Sequence, residues 1–397
     1  MYDGALLRAL PKTDLHVHLD GSLRLGTLIE LAAGRGVDLP SQTEEGLYEL
    51  VFKESYGSLT EYLAGFAYTC AVLQDPEALE RSAYELAWDN IDEGVRYVEV
   101  RFAPQLHMHG AFGYEEVLRA VNAGLDRARV EHEVIAAEKR EPPFRYGIIV
   151  CALRYFDGTF SRWYAQLCDV LHESPKSRIY GVAALQLARA AVRLRDEEGL
   201  PIVAFDLAGH EAGYPADAYR EAFVHAHEFF LKRTVHAGEA YGPESIYQAI
   251  ADLNADRIGH GYHLFAADKI AAPKIKDREG YCEALAQYIA DRRTTIEVCI
   301  TSNLQTNPEI GSVENHAFRQ MLDAKLSATL CTDNRLVSHT TVTREYELAT
   351  QAFDMTPAQL RDTIIYGFKR SFYPGSYTEK RAYVRQIIDF YNETVSR

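Results

Sequence analysis

The sequence lacks the features that mark membrane proteins, disulfide-rich secreted domains and nucleic-acid-binding proteins. No segment reaches the roughly 18–20 apolar residues of a membrane-spanning helix, and the opening MYDGALLRALPK has no apolar core of the secretory kind. The six cysteines form no CxxC pair, which argues against disulfides and against a thiolate metal site. The formal net charge of −15 disfavours nucleic acid and anionic membranes, because both attract basic surfaces. We therefore expect a cytoplasmic protein with neither kind of partner.

Short apolar segments alternate with helical stretches along the whole chain of 397 residues. One helical stretch is spaced as Ala83, Leu86, Ala87 and Ile91, and Gly94 follows it at a typical C-cap position. Strand–helix alternation repeated eight times predicts an α/β fold, a parallel (β/α)8 barrel of the TIM type, with residues 1–397 forming one domain. The predicted strands are Thr13–Leu19, Val95–Phe102, Tyr146–Leu153, Ile202–Leu207, Thr234–Ala237, Arg257–Tyr262, Thr295–Thr301 and Ser327–Thr332.

Two long insertions are predicted to lie over the carboxyl-terminal mouth of the barrel. Residues 21–75 are long enough for several short helices, and residues 154–180 separate the third strand from its helix. Aromatic residues in the second insertion either form one wall of an apolar pocket or pack the insertion onto the barrel. They are Tyr155, Phe156, Phe160, Trp163 and Tyr164.

A pair of histidines stands at the end of the first predicted strand. His16, His18 and Asp20 alternate with apolar residues, so the three polar side chains share one face of the strand. Two imidazoles on one face can hold a single ion from the same side. A second pair with this spacing, His107 and His109, follows a proline in a predicted loop and is rejected as a ligand pair.

Three further predicted strands end in polar residues. His236 and Glu239 belong to HAGE, His260 to GHGYH and Asp333 to CTDN. In α/β barrels the chemistry lies at the carboxyl ends of the strands. Imidazole combined with carboxylate suits Zn²⁺, and a catalytic zinc keeps one position open for water. The sequence thus predicts one Zn²⁺ per chain, held by His16, His18, His236 and Asp333.

Other polar residues near these motifs allow more than one interpretation. Glu239 is either a general acid beside the metal or a solvent-facing glutamate at a helix start. His260 is a ligand, a base near the metal-bound water, or a residue that lines the barrel, and His263 is expected to be structural. Glu99 and Arg101 share an inward strand face and are expected to form an interior ion pair. The remaining candidates are predicted to be surface or capping residues: His210, Glu211, His225, His227, His316 and His339.

Six motifs in this order resemble the adenosine deaminase family of the amidohydrolase superfamily: LHVHLDGS, DLAGHE, HAGE, RIGHGYHL, EVCITSN and LCTDN. The resemblance implies zinc-dependent hydrolytic deamination of a 6-aminopurine nucleoside, adenosine or 2′-deoxyadenosine giving inosine and ammonia. It implies Glu239 as proton donor to purine N1 and His260 as base and electrostatic partner of the zinc-bound water. It further implies that the N–H of Gly209 meets N3 and that Asp20 meets the ribose 5′-hydroxyl.

The chain departs from the usual family pattern at three places around the active-site mouth. Asn334 stands where an aspartate is usual; its amide can donate to purine N7 without taking up a proton. His210 replaces a residue that is commonly acidic, and the insertion at 154–180 is longer than usual. The substrate could therefore also be adenine, a modified adenosine or an aminofutalosine-like nucleoside.

Two other enzyme types and a non-catalytic protein are less consistent with the sequence. Binuclear amidohydrolases use a bridging lysine at the fourth strand, and IVAFDLAGHE contains none. Cytidine-type zinc deaminases use HxE and PCxxC motifs, which are absent. A barrel that only binds a ligand would not need the full set of metal and acid–base positions.

Overall fold

The computed structural model describes residues 2–396, in which eight parallel strands form one sheet. Each strand pairs with the next along the chain, and helices connect them. The (β/α)8 prediction is therefore confirmed. The strands are β1 Lys12–His18, β2 Val95–Phe102, β3 Arg145–Leu153, β4 Ile202–Ala208, β5 Lys232–Ala237, β6 Arg257–His260, β7 Thr295–Val298 and β8 Ala328–Leu330.

Helices surround the strands and cover the mouth of the barrel. In residues 2–396 they are α1 Gly4–Ala9, α2 Leu25–Arg35, α3 Glu44–Leu50, α4 Leu59–Ala64, α5 Phe66–Val72, α6 Pro76–Ile91, α7 Tyr114–Lys139, α8 Arg162–Val170, α9 Lys176–Glu198, α10 Arg220–Glu228, α11 Pro243–Ala251, α12 Arg278–Arg292, α13 Ile300–Thr306, α14 Phe318–Asp323, α15 Val342–Ala352, α16 Pro357–Arg370 and α17 Tyr377–Ser396. Short 3₁₀ helices cover Pro104–Leu106, Ala216–Tyr219, Tyr262–Phe265, Ala267–Lys269, Pro308–Ile310 and Val313–Asn315. No helix of residues 2–396 combines the length and apolarity needed to span a membrane.

The first and last strands meet just beyond their hydrogen-bonded ladders and nearly close the barrel. The N–H of His18 donates to the carbonyl of Asp333 at 2.7 Å, and the N–H of Asp333 donates to the carbonyl of His16 at 2.7 Å. Val17 and Asp333 form the corresponding parallel bridge. Barrel closure thus brings the HxH motif of β1 beside Asp333, although more than 300 residues separate them in the sequence.

Four strands end earlier than the sequence predicts: β1 by one residue, and β6, β7 and β8 where the chain changes conformation at the edge of the site. β6 ends at His260, whose φ of 63° is left-handed, and Asp333 beyond β8 has a φ of 62°. A strand requires negative φ, so the ladder stops at such residues. β7 ends at Val298 and the chain turns directly into α13. Left-handed non-glycine residues are uncommon and concentrate at functional sites.

The barrel interior contains two layers of ion pairs rather than the single pair expected. Glu99 pairs with Arg257. Arg101 pairs instead with Asp206 at 3.0 Å and with Glu297 at 2.8 Å. The expected Glu99–Arg101 pair is therefore wrong. Residues two apart on a strand are separated by almost 7 Å along it, so Glu99 and Arg101 have different partners. Glu297 joins the two layers, because it also pairs with Arg257 at 2.7 Å.

Both insertions contribute to the mouth of the barrel. Residues 21–75 contain α2 to α5, which confirms the predicted short helices, and residues 154–180 contain α8. The aromatic residues of the second insertion serve both expected purposes. Tyr155 and Phe160 line the cavity above the strands, whereas Phe156 and Tyr164 stack on each other in the core at 4.0 Å between ring centroids.

Candidate metal centre and active site

Four of the predicted site residues bring their ligand atoms together at the carboxyl ends of the strands. The Nε2 atoms of His18 and His236 lie 3.2 Å apart, and Oδ1 of Asp333 lies 3.4 Å from Nε2 of both His16 and His18. All the ligand atoms of the four residues lie within 4.8 Å of one another. The structure therefore assembles the same four residues that the sequence predicts as metal ligands.

Buried carboxylates determine which ring nitrogens face this centre. His16 donates from Nδ1 to Glu297 at 2.9 Å, and His236 donates from Nδ1 to Asp206 at 3.1 Å. A carboxylate only accepts, so in the neutral rings Nε2 keeps its lone pair. Nε2 of His16 is buried and has no hydrogen-bond partner in residues 2–396. Carboxylate–histidine pairs are the usual support of metal-binding imidazoles.

The donor set fits a divalent cation. Lone pairs of His16 and His236 and the carboxylate of Asp333 all face one point, where they would repel each other without a positive charge between them. Burial lowers the pKa of His18 and of His236, which favours the neutral, metal-binding form of both rings. Three imidazoles and one carboxylate, with space toward a cavity, are typical of a catalytic zinc ion.

Glu239 is a buried carboxyl group beside the four candidate ligands. Burial, followed by the negative charges of Asp333 and Glu211, raises its pKa well above the usual range. Its Oε1 lies 3.8 Å from Nε2 of His260. A carboxyl group that keeps its proton near neutral pH has the property required of a general acid.

Glu211 holds the loop that carries Glu239. Its carboxylate accepts hydrogen bonds from the backbone N–H groups of residues 238–241, at 2.6–3.0 Å, and from the hydroxyl of Ser245. The side chain is fully buried, so the predicted surface location is wrong. The sequence gives no direct sign of this role, because the loop that donates these hydrogen bonds lies 27 to 30 residues further along the chain.

We expect Glu211→Gln to lower both stability and turnover. The amide places an N–H group against backbone N–H groups, and an unsatisfied buried donor costs about 1–3 kcal/mol. Urea denaturation and kcat measure the two effects. Glu244→Gln is the matched control, since Glu244 also accepts from two backbone N–H groups, those of Ala271 and Ala272. Equal kcat values for the two variants would argue against a role of Glu211 in placing Glu239.

A cavity of about 860 Å³ opens above the metal centre. This volume lies within the range of about 300–1,000 Å³ that is usual for small-molecule sites. Apolar residues of α4 and α5 form much of its wall, together with part of the 154–180 insertion. The predicted site residues that line it are His18, Asp20, Gly209, His236, Glu239, His260, Asp333 and Asn334, whereas His16 lies buried behind them.

The three predicted substrate contacts face this cavity in different ways. Asp20 is almost fully buried, its Oδ1 has no partner in residues 2–396, and burial raises its pKa to about 7. Gly209 has a left-handed φ of 87° at the end of β4. Asn334 donates one amide hydrogen to the hydroxyl of Tyr62 at 2.8 Å. Its second amide hydrogen remains for another acceptor.

Five residues around the site were not predicted. Asp206 and Glu297 orient the histidines, Ser302 donates to Asp333 at 2.6 Å, and Arg154 donates to the carbonyl of His236 at 2.8 Å. Tyr62 contacts Asn334. Asp206 and Glu297 are acidic residues inside apolar strand segments, and that pattern was a usable signal. Ser302 stands in the EVCITSN motif, which was a further signal, whereas Arg154 and Tyr62 lie in a loop and a helix where no sequence pattern points to the site.

The remaining histidines divide between structural and surface positions. His107 and His109 donate to two different main-chain carbonyls and do not act as a pair. His263 faces the side-chain oxygen of Asn307 at 3.3 Å. His316 is buried rather than exposed, and it accepts from the N–H of Phe318 at the start of α14, so of the two predicted positions, surface or capping, the second applies.

Comparisons with known proteins agree with this geometry. The sequence profile described as adenosine deaminase matches residues 11–174 and 177–390. This chain belongs to the adenosine deaminase family. A family member from Mycobacterium avium (strain 104), named adenosine deaminase, is 34% identical over 384 residues, which cover 96% of this chain and 95% of the relative.

Solved structures share the fold of this adenosine deaminase family member at lower identity. The N6-mAMP deaminase of Arabidopsis is 24% identical with a TM-score of 0.71, and the match covers 97% of this chain and 99% of that one. An amidohydrolase from Burkholderia ambifaria with bound Zn is 18% identical with a TM-score of 0.73, covering 99% and 95% of the two chains. Family membership makes this chain a hydrolytic deaminase, and the family is metal-dependent.

Proposed function

We propose that this protein is a zinc-dependent deaminase that converts adenosine, or 2′-deoxyadenosine, to inosine and ammonia. The observation that carries the proposal is the convergence of four metal ligands with the buried carboxyl group of Glu239 at the base of one cavity. The Mycobacterium avium relative, which is named adenosine deaminase, supports the choice of substrate. The Zn in the Burkholderia ambifaria amidohydrolase supports the choice of metal.

His16, His18, His236 and Asp333 would hold the zinc ion. When bound, the ion supplies a nucleophilic water at neutral pH, because zinc lowers the pKa of such a water to about 7. The protein's own contribution is to orient His16 and His236 through Glu297 and Asp206 and to leave one side of the centre open to the cavity.

Glu239 would donate its proton to purine N1. Attack at C6 disrupts the aromatic ring and places negative charge on N1, so an acid positioned there stabilises the transition state. Burial raises the pKa of Glu239, which favours the protonated form that this role requires. Departure of ammonia also requires a proton. The same carboxyl group can deliver it once it has been protonated again.

Asp20 favours a nucleoside over a nucleotide. Its unpartnered Oδ1 lies at the cavity wall and can accept a hydrogen bond from a ribose 5′-hydroxyl. A 5′-phosphate in the same place would meet a buried carboxyl group and be repelled when both are charged. The N–H of Gly209, which also lines the cavity, would donate to purine N3.

A panel of 6-aminopurines tests the proposal. We expect the zinc-loaded protein to deaminate adenosine with a higher kcat/KM than adenine, AMP, N6-methyl-AMP or an aminofutalosine-like nucleoside, measured as loss of the 6-amino absorbance and release of ammonia. A higher kcat/KM for a nucleotide or for the free base would show that this compound, and not adenosine, is the preferred substrate. No turnover of any member would refute the proposed reaction.

Adding 7-deazaadenosine to the panel tests whether Asn334 contacts the substrate, because this analogue has carbon in place of N7. If the free amide hydrogen of Asn334 donates to N7, the wild type should discriminate against this analogue by about 10²–10³ in kcat/KM. Sites built around a hydrogen bond reject such analogues by up to roughly 10⁴–10⁵, and a neutral donor is cheaper to desolvate than a charged one. Asn334→Ala should lose the discrimination. Equal turnover of both nucleosides by wild type would rule out a contact with N7.

A further inference from the structure

We propose that Asn303 and His316 are positioning residues that hold neutral His260 with its proton on Nε2, so that this ring donates a hydrogen bond into the active-site cavity. The tautomer follows from hydrogen-bond geometry alone. Its consequence for catalysis rests on the deaminase function proposed above. Three successive contacts connect a backbone N–H group to His260.

The starting point is the backbone N–H of Phe318, which can only donate. It lies 3.1 Å from Nδ1 of His316. Nδ1 of His316 must therefore carry a lone pair, and the proton of the neutral ring must be on Nε2. His316 is accordingly a donor at Nε2.

The second contact orients the side-chain amide of Asn303. Nε2 of His316 lies 3.1 Å from Oδ1 of Asn303, which accepts the hydrogen bond. If the amide were reversed, its NH₂ group would face the Nε2–H group of His316. The hydrogen bonds therefore fix the orientation of the amide, although its oxygen and nitrogen have similar shapes. The amide nitrogen of Asn303 therefore points the other way.

The third contact reaches His260. The amide nitrogen of Asn303 lies 3.1 Å from Nδ1 of His260. An amide nitrogen donates and cannot accept, so Nδ1 of His260 carries a lone pair and the proton is on Nε2. His260, Asn303 and His316 are each at most 1% exposed. Water therefore has little access to these three hydrogen bonds and does not replace them.

The proton on Nε2 of His260 faces the reaction site. Nε2 is buried without a hydrogen-bond partner in residues 2–396, the ring lines the cavity, and Oε1 of Glu239 is 3.8 Å away. In this tautomer the ring can orient a nucleophilic oxygen by donating to it, but it has no lone pair there to take up a proton. The proton of the nucleophile must then go to another group, and the carboxylate that Glu239 becomes after it has protonated N1 can accept it. This differs from the role of base that the family resemblance implies for His260.

Nitrogen NMR of the wild-type protein measures which ring nitrogen of His260 carries the proton. Zinc-loaded protein labelled with ¹⁵N-histidine should show His260 with an unprotonated Nδ1 and a protonated Nε2 at neutral pH. Comparison with His260→Gln identifies the resonances. This measurement requires neither a substrate nor turnover.

Asn303→Asp should reverse the tautomer. The carboxylate has the shape of the amide and still accepts from His316, but toward His260 it can only accept, which draws the proton to Nδ1. We expect kcat to fall by about 10²–10³, the effect of losing one positioned donor, with zinc content retained and KM changed less. Asn307→Asp, the same change at another buried asparagine four residues along, which faces His263 instead, should leave both the tautomer and kcat unchanged.

His316→Gln provides a conservative variant should Asn303→Asp fold poorly. Glutamine can place an amide N–H near the position of Nε2, so the tautomer of His260 should be kept. A protonated Nδ1 in wild type, wild-type kcat in Asn303→Asp, or a reversed tautomer in His316→Gln would each overturn the proposal. Inactivity toward every nucleoside of the panel would refute the proposed function but leave the NMR result intact, so the two failures are distinguishable.

Discussion

His236→Ala is expected to yield a folded protein without bound metal and without deaminase activity. His236 supplies one of three imidazoles at the centre, and its Nε2 lies 3.2 Å from Nε2 of His18. Removing only a supporting residue of a metal ligand lowers affinity by about 10–100-fold, and removal of a ligand should exceed that. Elemental analysis after dialysis in zinc-containing buffer, with an adenosine assay on the same sample, measures both losses.

The chain offers a matched control for this substitution. His109 has the same spacing in an HxH pair, but its Nε2 donates to the carbonyl of Gln74 and it lies outside the four-ligand group. His109→Ala should therefore keep one zinc ion per chain and its activity. Full metal occupancy in His236→Ala would disprove the proposed coordination, and two ions per wild-type chain would contradict a mononuclear centre.

Glu239→Gln should keep zinc and fold but lose about 10²–10⁴ in kcat, the usual contribution of a general acid. Glutamine preserves the shape and one hydrogen-bonding oxygen but has no proton to deliver to N1. Glu239→Asp, which remains an acid on a shorter side chain, should retain part of the activity. Steady-state kinetics of the two variants separates proton donation from simple occupation of space. A Glu239→Gln protein with near wild-type kcat would remove Glu239 from the mechanism.

The same variant should change the pH dependence of stability in a defined direction. Because the pKa of Glu239 is raised, the folded protein holds this proton more tightly than the unfolded chain. Stability then falls as the pH rises from the ordinary glutamate range through the raised pKa. Glu239→Gln carries no charge to desolvate, so this fall should disappear, and its melting temperature at mildly alkaline pH should be no lower than that of wild type.

The sequence by itself determined the barrel and which four residues come together as candidate metal ligands. Eight apolar segments separated by helical ones permit few folds, and His16, His18, His236 and Asp333 each stand at or just after a strand end. A barrel brings such positions to one place whatever the details of side-chain packing. For this reason the ligands could be named without coordinates, even though the ends of β6 and β7 were predicted wrongly.

Only the tertiary structure decided which residues support the site. Glu211, Asn303 and His316 act through contacts with loops or helices that no periodic pattern encodes, and the partners of Arg101 were mistaken for the same reason. Hydrogen bonds require a match of about 3 Å in distance and a defined direction, and that match is set by barrel closure and by individual side-chain rotamers. Strand periodicity shows which face a side chain is on, whereas its partner across the barrel follows only once the strands are in register.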